Sequence, residues 1–187
     1  PLAAAPVEVP AEIKPQALAD AARSGDPAAF FEIGSVYTEG RGVAADLAKA
    51  AQWYQRAADA GLTPAEYRLA SLYEKGSGVP RDAVKARALY EQAATKGNAS
   101  AMHNLAVLLA SGSAVTPPDF TAAAKWFEKA AELGVRDSQF NLAILYARGN
   151  GVPQNLEASY KWFAVAAKEG DADAGAKSEE VAKTLSA

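Results

Sequence analysis

Polar side chains recurring at helical spacing invite the first chemical reading of this sequence. Glu32, Arg68, Asn104 and Asn141 follow one another at intervals of 36, 36 and 37 residues. Three residues after each stand Ser35, Ser71, Val107 and Ile144. Seven after each stand Glu39, Lys75, Ser111 and Arg148. Positions i, i+3 and i+7 project from one face of a helix. An asparagine amide both donates and accepts, so Asn104 and Asn141 can hold the backbone of an extended peptide. Arg68, Lys75 and Arg148 can read acidic groups beside it, and Glu32 completes the set. The competing interpretation is a plain solvated face.

The other candidates point away from catalysis. His103 is the only histidine, and it occupies the position of Phe31, Tyr67 and Phe140. A general base needs a nucleophile or substrate within hydrogen-bond reach. Nothing near it in sequence supplies one, so His103 reads as a packed aromatic substitute. Asp171 and Asp173 resemble a metal pair, but carboxylates at a helix start more often cap it and complement its dipole. The Gly-x-Gly triplets at Gly40, Gly76 and Gly149 lack a third glycine and a preceding strand, and they recur once per period, as a structural turn does. Trp53, Trp126 and Trp162 form a ladder that Leu89 interrupts with bulk but no indole, as packing positions tolerate. No catalytic residue, metal or cofactor is therefore expected. A glycan hydrolase, the competing enzyme class, would need two close carboxylates in a cleft.

The elements that must position these residues follow a fixed period. From Gly61 to Gly97 a helical run with Leu69, Ala70, Leu72 and Tyr73 precedes a turn, Gly76 to Asp82. A second run follows with Ala86, Leu89, Tyr90, Ala93 and Ala94. The same landmarks return 36 residues earlier and twice later. Self-similarity at this period marks a stacked repeat protein. Residues 1–15, with four prolines, read as an extended linker. Residues 16–25 read as the second helix of a partial leading repeat. Four full repeats cover 26–61, 62–97, 98–134 and 135–170, and 171–187 form a capping helix with a polar outer face. Asp26-Pro27 opens the first full repeat. Asp46, Asp82, Asp119 and Asn155 each cap a second helix. Helices of 12 to 15 residues do not persist alone in water, so each must bury alanine, leucine and aromatic faces against its neighbours. The third repeat carries one extra residue, and Ala114 stands where Gly42, Gly78 and Gly151 stand. That loop is expected to take a different path.

Composition narrows the function classes. The 187 residues carry a net charge of −3 and the pI is near 5.3. Without a basic run, nucleic acid is not an expected partner. No apolar run approaches a membrane span. With no cysteine, disulfides, thiolate metal sites and cysteine nucleophiles are excluded. The start at Pro1-Leu2-Ala3 reads as an excised piece of a longer protein.

Leu-Ala-x-Leu-Tyr, Gly-x-Gly-Val, a capping Asp, an aromatic pair and Ala-Ala-x-x-Gly, repeated over about residues 16–174, resemble the Sel1-like repeat. That family is related to tetratricopeptide repeats. The resemblance implies an all-α fold, a right-handed α/α superhelical solenoid whose first helices line the concave side. It also implies a scaffold that binds other proteins. The last repeat, with Phe140 to Tyr146 and Ser159 to Phe163, is similar to the periplasmic Sel1 segment of PodJ-type polarity factors of alphaproteobacteria. This finer resemblance implies a soluble periplasmic segment of an inner-membrane protein at the cell pole, with a membrane histidine kinase or another polar protein as partner, or peptidoglycan. The alternatives are a cytoplasmic location, a cell-wall binding or modifying protein, and a structural spacer or self-association module.

Overall fold

The computed structural model describes residues 5–113 and 116–186. Among these residues every regular element is a helix. They are α1 (Gln16–Arg23), α2 (Pro27–Glu39), α3 (Leu47–Asp59), α4 (Thr63–Lys75), α5 (Ala83–Thr95), α6 (Ala99–Ser111), α7 (Phe120–Glu132), α8 (Arg136–Arg148), α9 (Leu156–Lys168) and α10 (Ala172–Leu185). Two compact units divide them: Pro1–Lys96 holds α1 to α5, and Gly97–Ala187 holds α6 to α10. Within each unit a helix packs chiefly on its neighbours in sequence, α2 on α3 and α3 on α4 in the first, α6 on α7 and α7 on α8 in the second.

Side-chain chemistry sets the helix boundaries. The Asp46, Asp82, Asp119 and Asn155 side chains accept from the amides of Lys49, Lys85, Ala122 and Ala158 at 2.9 to 3.0 Å. Each satisfies a donor that the first turn leaves orphaned. Asp26 accepts from Ala28 N with Pro27 behind it, as expected. Gly40, Gly76 and Gly149 end their helices in the left-handed region, with φ of 68° to 69°. The turn then closes by one recurring bond, in which Asp46, Asp82 and Asn155 donate N–H to the carbonyls of Tyr37, Tyr73 and Tyr146 at 2.9 Å.

The third loop departs from this path, as expected from its extra residue. Gly112 has ψ −166° where the other three capping glycines have ψ near 35°. The loop still rejoins the pattern, because Asp119 N–H reaches Leu109 O at 2.8 Å. Ala114, the residue expected to be strained there, lies outside the described residues.

The cores are built from small residues. Ala50, Ala57, Ala65 and Ala70 are fully or almost fully buried in the first unit, as are Ala106, Ala123, Ala130 and Ala143 in the second. Alanine lets helix axes approach closely, and the aromatic rings then fill the remaining space. The proline-rich segment carries no helix or strand from residue 5 to 15 and turns at residues 10–13, where Ile13 N–H reaches Pro10 O at 3.1 Å, but it is not a free linker. Ile13 is 1% exposed, and Val7 and Val9 pack on the same cluster. Glu12 accepts from Tyr37 Oη at 2.6 Å and pairs with Lys49 at 3.5 Å. Its apolar residues and Glu12 attach it to α2 and α3, a pairing invisible when prolines alone are counted.

Candidate functional site

The polar stripe divides between the two units. In the first, Glu32 is not free to take a partner: Arg41 binds it at 2.9 Å and also holds Glu39 at 2.6 Å. The Glu32 hydrogen bond, more than any other influence, keeps the Arg41 guanidinium above its ordinary pKa. Arg68 and Lys75 are exposed on α4. Between α2 and α3 a hydroxyl cluster forms, with Tyr54 Oη 3.3 Å from Ser35 Oγ and 3.1 Å from Thr38 Oγ1.

In the second unit the same positions form an open groove of about 290 Å³ between α6, α7 and α8. Val107, Phe120, Phe127 and Ile144 give it an apolar floor, and Asn141 and Arg148 stand among its lining residues. Asn141 and Arg148 thus line one groove. Asn104 is half-buried on α6 one turn before Val107, outside that lining. The chemical contrast with the first unit is concerted. Ser35, Thr38, Tyr54 and Ser71 are replaced at equivalent positions by Val107, Ala110, Phe127 and Ile144, so four hydroxyls are lost at one place. A volume of this size suits one bulky side chain: a cavity of about 150 Å³ already holds a benzene ring, and drug-sized ligands use roughly 300 to 1,000 Å³.

His103 is held as a packed aromatic. Its ring lies 5.7 Å from Phe127, the same first-to-second-helix contact that Phe31–Tyr54, Tyr67–Tyr90 and Phe140–Phe163 make at 5.4 to 5.9 Å. Its Nδ1 lies 2.8 Å from Ser138 Oγ. This Ser–His pair is not a nucleophile and base, since Ser138 is 0% exposed and no substrate reaches it. Burial lowers the His103 pKa, against a weaker upward pull from Asp137. Sequence reasoning missed Ser138, although a signal was present: Ala29, Ala65 and Ala101 stand at the equivalent positions.

The remaining candidates are structural. Asp171 caps α10 by accepting from Ala174 N at 2.9 Å, and no acidic or histidine cluster able to hold a metal occurs among the described residues. The tryptophans differ among themselves. All three carry a cation, Arg56, Lys129 and Lys161 at 5.4, 4.8 and 5.2 Å, but Trp53 is buried 5.9 Å from Phe30 whereas Trp126 and Trp162 are half-buried. Gly78 has φ 73°, and a Cβ added there would meet the Leu47 backbone carbonyl. Its triplet is a packing device between repeats. No helix among the described residues is long and apolar enough to cross a membrane.

The chain matches the Sel1 repeat at four successive places, residues 27–62, 63–98, 99–135 and 136–171. It is similar to the crystal structure of a protective antigen of uropathogenic Escherichia coli with an SLR fold, at 36% identity and a TM-score of 0.81, over 87% of this chain and 34% of that one. A Sel1 repeat protein from Oxalobacter formigenes is 31% identical with a TM-score of 0.78, over 85% of this chain and 66% of that one. Cysteine rich protein B of Helicobacter pylori shares the fold at 23% identity and a TM-score of 0.54, over 71% of this chain and 94% of that one. The chain thus spans about a third of the first structure and just under two thirds of the second. No curated protein matches it.

Proposed function

The chain belongs to the Sel1 repeat family, and from that premise we propose that it is a non-catalytic scaffold holding a segment of another protein against its first helices. Sel1 repeat proteins typically act as protein-interaction scaffolds. The groove beside Asn141 and Arg148 supports the proposal most directly, since it joins an apolar floor to amide and guanidinium donors. Asn104 extends the same face on α6, and Arg68 and Lys75 offer cations on the first unit. The test is site-specific photo-cross-linking in the native cell from a probe at Val107. Asn104→Ala with Asn141→Ala should leave the chain folded, with unchanged helix content, while removing the protein adduct. An adduct undiminished by both changes would show that this face does not hold the partner.

The finer proposal is a periplasmic repeat segment of a bacterial cell-pole polarity factor that recruits or senses a signalling partner, a membrane histidine kinase among the candidates. It rests on the wording of the last repeat, Phe140 to Tyr146 and Ser159 to Phe163. A fluorescent fusion should gather at one pole, and the repeats should be digested by protease added after outer-membrane permeabilisation. Diffuse fluorescence with protection until cell lysis would instead place the protein in the cytoplasm. Sedimentation with purified peptidoglycan separates this proposal from the cell-wall alternative.

A further inference from the structure

The groove of the second unit has a chemistry specific enough to name its occupant. Its floor lost four hydroxyls relative to the equivalent surface of the first unit, so it favours an apolar side chain over water. Arg148, at the end of α8, is exposed and has no acidic partner within ion-pair distance among the described residues. Lys75 keeps a cation at the same position in the first unit, whereas Glu39 is held by Arg41. Asn141 and Arg148 are seven residues apart on one helix, about 10 Å along its axis. An extended chain advances roughly 3.3 Å per residue, so about three residues bridge the two.

We propose that the groove between α6, α7 and α8 takes an extended acidic peptide of another protein. A bulky apolar side chain enters the floor formed by Val107, Phe120, Phe127 and Ile144. Asn141 holds the adjacent backbone amide. A carboxylate about three residues further along closes on Arg148, whose planar fork suits two-point recognition. The proposal rests on the scaffold function above and adds the chemistry of the bound segment.

Selection of a random-peptide display library on the wild-type chain, followed by anisotropy measurements on labelled winners, tests it. Enriched peptides should carry Asp or Glu about three positions from a bulky apolar residue. Arg148→Glu should weaken them by about five- to tenfold, because attraction becomes repulsion at a rim charge. Asp→Asn in the peptide should cost a similar factor on the wild type and little on Arg148→Glu. Ile144→Arg, checked for unchanged helix content by circular dichroism, should abolish binding. Winners without an acidic residue, affinities that change by less than about twofold on Arg148→Glu, or failure to enrich any peptide would overturn the proposal. So would self-association of the wild type in sedimentation that Ile144→Arg removes, which would assign the groove to a second copy. Winners lost on the Asn104, Asn141 double variant but indifferent to Arg148→Glu would retain the scaffold function and reject the acidic peptide. Indifference to all of these variants would reject both.

Discussion

His103 shows how a single departure from the repeat is accommodated. A polar ring at an aromatic position needs a partner for its buried nitrogen, and Ser138 supplies it where other repeats carry alanine. Ser138→Ala should cost about 1 kcal/mol, since Nδ1 loses its partner without gaining water. Adding His103→Phe should recover that loss, because the pair then matches Phe31 and Ala65. The same site gives a pH dependence. Burial lowers the folded pKa of His103 below its unfolded value near 6.5. The neutral ring is favoured in the fold, so its contribution is present above that unfolded pKa and is lost as pH falls toward the folded one. Melting temperature should drop on acidification below about pH 6.5 more steeply for the wild type than for His103→Phe with Ser138→Ala; parallel curves would contradict the assignment. That His103 packs as an aromatic was legible from its alignment with Phe31, Tyr67 and Phe140. Its bond to Ser138, 35 residues away, was not, because pairing between successive repeats depends on how they stack.

At the scale of elements, sequence patterns carried the helix ends well. The capping residues needed only local spacing, and Asp82→Ala should lower stability by about 1 kcal/mol in thermal denaturation. Glycines with similar φ separate into two kinds only in three dimensions. Gly42 has φ 72° and open space where a methyl group would project, whereas Gly78 at φ 73° abuts Leu47. Gly42→Ala should therefore cost about 1–2 kcal/mol for its left-handed backbone, and Gly78→Ala clearly more, because the turn must also move off α3. Equal losses in chemical denaturation would show that the contact with α3 carries no weight. The Glu66–Lys96 pair was likewise hidden in the sequence. Glu66 is 2% exposed and bonded to Lys96 Nζ at 2.6 Å, at a position where the third repeat has Met102. Lys96→Met leaves a buried carboxylate unpaired and should destabilise by about 3 kcal/mol. Combining it with Glu66→Met should restore most of the loss. The proline-rich segment was the element least legible, because Ile13 and Glu12 acquire meaning only beside Tyr37 and Lys49.

For the molecule as a whole, stability is a sum of short helices and the faces they share with the next. Helix α10 buries only Ala174 and Ser178, whereas α3 buries six residues. Amide exchange should thus be faster in α10 than in α3. The repeat period was enough to predict stacked helices without any coordinates. The groove was only half legible: Asn141 and Arg148 were visible in the polar stripe, but Phe120 and Phe127 come from another helix and complete the floor. The most direct measurement is a comparison of photo-cross-linking from Ile144 in the groove with that from exposed Tyr160 on the second helix α9, in the native cell. A discrete protein adduct from position 144, with none from 160, is the predicted result. Adducts from 160 alone, or none to protein from either position, would contradict a scaffold that binds through its first helices.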